Sequence, residues 1–203
     1  MQFNKLYKEN FFFFTTYINE EISKNVVKFK NIAIIYNNKY IENENNFLKI
    51  KNFCRKNNIK FFIIDDLKLA IKYKLDGIIL SNKNKSNHHN FFNHKKNLRI
   101  LGKVQNQIDL YFKIKQNCNY IILSPIFENA KYKENNILNV IKFNLISKNW
   151  WQKLIALGGV NQKNLNKIKM TKAGGVGFIR FISSPEIKKP VLLKNGLFNI
   201  LRN

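Results

Sequence analysis

NYIILSPIF (119–127), KLIALGGV (153–160) and AGGVGFIRFI (173–182) decide the fold of this chain. Each is a short apolar run that ends in small or turn-forming residues. Runs of this length with few charges suit strands covered on both faces, and the helix-like segments between them imply right-handed parallel crossovers. An α/β architecture follows, with chemistry expected where the strands end.

The same alternation extends back to the N-terminus. Strands are expected at 11–16, 32–36, 60–65, 77–81, 99–105, 120–127, 153–160 and 176–182. Helical patterns fill most of the gaps. One runs over 44–57, where Phe47, Leu48, Ile50 and Phe53 stand among polar residues. Another, at 66–74, opens on an acidic residue suited to the positive end of a helix dipole. Segments 108–116 and 164–172 behave similarly, and 191–201 reads as a terminal helix. Eight strands with intervening helices in 203 residues fit a single compact (β/α)8 TIM-type barrel at the low end of its size range, a doubly wound open sheet being the alternative. There is no Pro/Gly/Ser linker, fixed-period repeat or charged tail, so 1–203 reads as one domain.

The chain carries 36 Lys and Arg against 12 Asp and Glu, a formal charge of +24. Such a field could attract nucleic acid or an anionic membrane surface. The basic residues are dispersed, however, and most are Lys, whereas bidentate base reading favours Arg and a footprint shows as a patch. A general bias toward Asn, Lys, Ile and Phe explains the charge more economically, and nucleic-acid binding is kept as the lowest-ranked reading. Small phosphorylated ligands would benefit from the same field. Cys54 and Cys118 form no metal-like pair, which suits a reduced, cytoplasmic protein. The FFFF run at 11–14 is too short for a signal core or a membrane span, so no membrane partner is expected. Oligomeric state is open, a homo-oligomer included.

DDLKLAIKYKLDGIIL, ILGKVQ, YIILSPIF, ALGGVNQKN and AGGVGFIRFI, in that order from 61 to 184, resemble thiamine-phosphate synthase and its relative, the TenI-like thiazole tautomerase branch. The resemblance implies a (β/α) barrel in thiamine biosynthesis, coupling a hydroxymethylpyrimidine diphosphate to a thiazole phosphate while Mg2+ helps pyrophosphate leave. It places the first metal aspartate on Asp65, followed by Asp66, and the second metal position on Asn84. It puts Lys39 and Lys131 as catalytic cations facing the diphosphate, Ser124 beside the substrate, and Gly158, Gly159 and Ser183 around the thiazole phosphate. Two positions keep a second reading: paired glycines also make a tight turn, and Asp65 and Asp66 also suit a helix start.

Several positions depart from the family's pattern. Asn84 is neutral, which removes one charge from a Mg2+ site. After SPIF the family's two threonines are missing; Glu128 brings a negative charge, and Lys131 or Lys133 is left to replace a lysine. On the second strand the counterparts of Gln, Arg and Lys are Ile35, Asn37 and Lys39. Ile64 and Ile79 replace polar residues, so the barrel mouth is expected to be filled. The tautomerase histidine is absent after Ser124 and Pro125, and His88, His89 and His94 fall in a polar segment read as surface. Two readings therefore stand beside each other: a synthase with an eroded site, and a non-catalytic phosphate-ligand-binding or interaction paralogue on the same barrel.

Overall fold

A computed structural model describes residues 11–37, 44–86, 98–148, 154–180 and 182. Eight strands close into a parallel barrel in sequence order: β1 (Phe11–Thr15), β2 (Ile32–Tyr36), β3 (Lys60–Ile64), β4 (Gly77–Leu80), β5 (Arg99–Val104), β6 (Tyr120–Leu123), β7 (Leu154–Leu157) and β8 (Gly175–Phe178). β1 closes on β8 with Phe12 opposite Gly177. The helices outside are α1 (Glu20–Val26), α2 (Glu44–Lys56), α3 (Leu67–Lys72), α4 (Gln107–Lys115), α5 (Asn139–Ile146) and α6 (Leu165–Ile168), and a short 3-10 turn spans Glu134–Asn136. The barrel is the expected one, and the open-sheet alternative falls. No helix among the described residues is long and apolar enough to cross a membrane.

Two-residue alternation explains why the strands read as continuous apolar runs. Phe11 and Phe13 face the helices, in one cluster with Ile34, Ile63, Leu123 and Ala156. Phe12 and Phe14 face inward with Ile35, Phe62, Ile79, Leu101, Ile122 and Leu157. Both faces are buried, so both must be apolar. Asparagine and aspartate start several of the helices. Asn19 caps α1, Asp66 caps α3 and Asn106 caps α4, each side chain accepting a backbone N–H within the first turn.

The strands are shorter than the sequence suggests, and most extra residues lie at C-terminal ends. β6 stops at Leu123 rather than 127, and β7 at Leu157 rather than 160. β8 covers 175–178 instead of 176–182. After β6 the overrun residues Ser124, Pro125 and Ile126 are buried by loop packing, with Ile126 N–H donating to Leu157 O and Phe127 N–H to Gly158 O, whereas Ile179 and Arg180 after β8 are exposed. α6 shrinks to four residues, and α1 and α5 were not singled out in the sequence. The terminal helix expected at 191–201 lies outside the described residues.

Candidate active site at the barrel mouth

Two contiguous cavities, of about 660 and 710 Å³, open at the C-terminal ends of the strands. Asn37, Lys103, Leu157, Ile179 and Arg180 line both. Ile64 and Ile79 form part of the floor on one side, while Ile35 is fully buried in the barrel interior. The mouth is therefore open, contrary to the expectation that these isoleucines fill it. They replace polar groups in the floor without rising into the space above.

On the β6–β7 side stand Ser124, Glu128, Lys131, Gly158 and Gly159. Gly158 and Gly159 have φ of +96° and +71°, a region that costs a side-chain-bearing residue about 1–2 kcal/mol. A Cβ on Gly159 would lie 2.4 Å from both Phe127 O and Glu128 O, so only glycine lets this turn rest on the loop after β6. Asn164 Nδ2 then donates to Gly159 O at 2.7 Å, and Asn161 and Asn164 exchange side-chain-to-backbone hydrogen bonds. The tight-turn reading of the glycines holds, and the turn faces the cavity. Lys131 is exposed, with its Nζ 5.3 Å from the centre of the Tyr132 ring.

Burial pushes the Tyr132 phenol up, but a hydrogen bond with Gln105 and the charges of Lys131 and Lys103 prevail, and it ionises below the usual tyrosine range. Lys131 and Lys103 line the same cavity as Tyr132. Lys103 and Arg180 were not singled out in the sequence. Lys103 was nevertheless legible, because it lies two residues beyond inward-facing Leu101 and so shares its face.

On the β3–β4 side, Asp65 follows β3 with φ +54°. Its Oδ1 accepts Ser81 N–H at 2.8 Å and Asn84 Nδ2 at 3.2 Å. Asp66 serves instead as the α3 cap, as the helix-start reading holds. Asn84 is tied to α4 by a buried relay. Lys113, 0 % exposed, donates from Nζ to Asn84 O at 2.6 Å and to Gln116 Oε1 at 2.8 Å. Gln116 Nε2 donates to Ser86 O at 2.7 Å and approaches Asn84 Oδ1 at 3.4 Å. Ser86 N–H also donates to Asn84 Oδ1, at 3.1 Å. Burial lowers the Lys113 pKa.

This donor set does not fit a cation held between Asp65 and Asn84, because Asn84 turns its N–H2 and not its oxygen toward the carboxylate. Among the described residues, no group of three or more His, Cys, Asp or Glu could hold a metal ion. Asp65, Asn84, Ser124, Lys131, Gly158 and Gly159 all lie around the mouth; Lys39, Ser183, His88, His89 and His94 lie outside the described residues.

A family model described as thiamine monophosphate synthase matches residues 28–182. A thiamine-phosphate synthase of Prochlorococcus marinus (strain AS9601) is 25% identical over 144 residues, covering 70% of this chain and 40% of that protein. One from Flavobacterium johnsoniae is 30% identical over 150 residues, covering 70% and 69%. The chain thus spans less than half the length of the Prochlorococcus marinus relatives it matches. The solved thiamine phosphate pyrophosphorylase from Pyrococcus furiosus superposes with a TM-score of 0.71 over 89% of this chain and 90% of that one, at 16% identity, a likeness of fold.

Proposed function

Because the chain belongs to the thiamine monophosphate synthase family, we propose that its barrel mouth binds phosphorylated thiamine precursors and couples a hydroxymethylpyrimidine diphosphate to a thiazole phosphate. The observation that carries the reading is the open mouth itself, with Lys103, Lys131 and Arg180 facing a space large enough for a phosphorylated heterocycle beside the Gly158–Gly159 turn. In the reaction the C–O bond to the diphosphate breaks, its electron pair leaving with pyrophosphate. The lone pair of the thiazole nitrogen forms the new C–N bond. The pyrimidine's own ionisation drives this step, so no protein nucleophile is required. The chain's task is to hold both phosphates and to stabilise the departing anion.

In this reading the backbone of the Gly158–Gly159 turn cradles the thiazole phosphate, a role the resemblance also gives to Ser183, and barrels often bind phosphate after their seventh and eighth strands. Lys131 and Lys39 attract the diphosphate, and Ser124 offers a hydroxyl between the two ligands. A non-catalytic phosphate-binding role is the second reading, favoured by the Asn84 amide donating to Asp65. The two are separated by incubating the full chain at high concentration with both precursors, with and without Mg2+, and measuring thiamine phosphate and pyrophosphate in equal amounts. Binding of the precursors without either product would sink the coupling reading and leave the second.

A further inference from the structure

We infer that the mouth takes its diphosphate ligand as the metal-free anion, with cationic side chains supplying the charge that a divalent ion would bring. The inference rests on the proposed reading that a diphosphate occupies this mouth. It starts from the orientation of one amide, which is assigned from the hydrogen-bond relay around it.

A lysine ammonium has donors only, so the Gln116 atom 2.8 Å from Lys113 Nζ must be the oxygen, Oε1. The Gln116 amide nitrogen then points at Ser86 O and at the Asn84 side chain. Ser86 N–H also needs an acceptor there, so Asn84 places Oδ1 toward Gln116 and Ser86. Its Nδ2 is left facing Asp65 Oδ1. Reversing Asn84 would set its N–H2 against the Ser86 N–H and the Gln116 amide and its oxygen against the Asp65 carboxylate. From α4, outside the barrel wall, Lys113 thus helps to hold a donor where a metal needs an oxygen.

The charge around the cavities points the same way. Among the described lining residues, Lys83, Lys103, Lys131 and Arg180 stand against Asp65 and Glu128. A net positive rim repels a divalent cation and attracts a free diphosphate. Arg180 offers a planar fork suited to phosphate oxygens, and Lys103 and Lys131 add point charges near the Tyr132 hydroxyl.

The experiment titrates inorganic pyrophosphate into the full chain by calorimetry, in EDTA and again with Mg2+, and follows Mn2+ by electron paramagnetic resonance. Binding should be at least as tight in EDTA as with Mg2+, and Lys103→Ala and Arg180→Ala should each weaken it roughly tenfold. The wild-type chain should leave Mn2+ free, whereas Asn84→Asp should gain a bound-Mn2+ spectrum that Asp65→Asn abolishes. Circular dichroism establishes that each variant is folded. Pyrophosphate binding that requires Mg2+, binding in neither buffer, wild-type Mn2+ binding lost in Asp65→Asn, or no gain in Asn84→Asp would each overturn the inference. If pyrophosphate binds in EDTA while no thiamine phosphate forms, the coupling reading fails and this one stands. If coupling occurs only with Mg2+ and pyrophosphate needs the metal too, the reverse holds.

Discussion

At the scale of single residues, the mouth is governed by positions whose environment overrides their usual character. Gly159 sits at φ +71° with the Phe127 and Glu128 carbonyls where a Cβ would go. Gly159→Ala should therefore cost about 2–4 kcal/mol, combining left-handed strain with overpacking against backbone that has little room to move. Urea unfolding measures it, and a loss below about 0.5 kcal/mol would show the turn to be plastic. The tyrosines give a pH test. Tyr132 ionises early because Gln105, Lys131 and Lys103 outweigh its burial, while burial alone raises Tyr36. The depressed Tyr132 value means that the unfolded chain holds more protons in the window just below the usual tyrosine pKa. Its stabilising contribution is thus complete above that value and disappears as pH falls through the folded one. For Tyr36 the sign reverses: its contribution is complete below the ordinary value and is lost as pH rises through the raised one. A tyrosinate absorbance titration should show an early phase that Tyr132→Phe removes. Persistence of that phase in the variant would assign it to another tyrosine and overturn the early ionisation of Tyr132.

At the scale of elements, the join between β3, β4 and β5 depends on Asp76. Its carboxylate accepts Phe61 N–H at 2.9 Å and Lys60 Nζ at 2.8 Å, its N–H donates to Phe61 O, and its carbonyl accepts Arg99 N–H. Asp76→Ala should cost about 1–2 kcal/mol, mostly through the abandoned Phe61 N–H. Asp76→Asn keeps that acceptor and loses only a half-exposed ion pair, so it should cost less than about 1 kcal/mol. Equal losses in the two variants, measured by thermal unfolding, would assign the effect to charge instead. Why some elements were legible in the sequence and others were not follows from what burial can encode. The eight strands could be read because a barrel buries both faces of each one. Their C-terminal ends could not: Pro125 and Ile126 are as buried as a strand residue yet serve the loop, and apolar character does not distinguish ladder from packing. Lys113 was invisible for the opposite reason. A lysine in a helix reads as solvent-facing, and the Asn84 carbonyl that satisfies it lies 29 residues away. Asn84 was legible as a substitution, but the direction of its amide depends on that distant lysine.

At the scale of the whole molecule, the formal charge of +24 acts on every equilibrium of the chain. With 36 Lys and Arg against 12 Asp and Glu, most of these cations cannot each have a carboxylate of their own, so the compact state repels itself more than the expanded chain does. Salt that shortens the Debye length from roughly 30 Å to roughly 8 Å should relieve this repulsion and raise the unfolding free energy by on the order of 1 kcal/mol. Sodium chloride can act only through screening, whereas phosphate and pyrophosphate can also occupy the cationic mouth. At equal ionic strength pyrophosphate should therefore raise the melting temperature further, by an amount that grows with its concentration relative to its dissociation constant. The excess should shrink in Lys103→Ala and Arg180→Ala while the sodium chloride response stays as in the wild-type chain. A short DNA duplex separates the third reading: nonspecific attraction should fade steeply between low and physiological salt. If the pyrophosphate excess instead matched chloride at every ionic strength, the charge would be a property of the surface as a whole, and the mouth would have no claim to be an anion site.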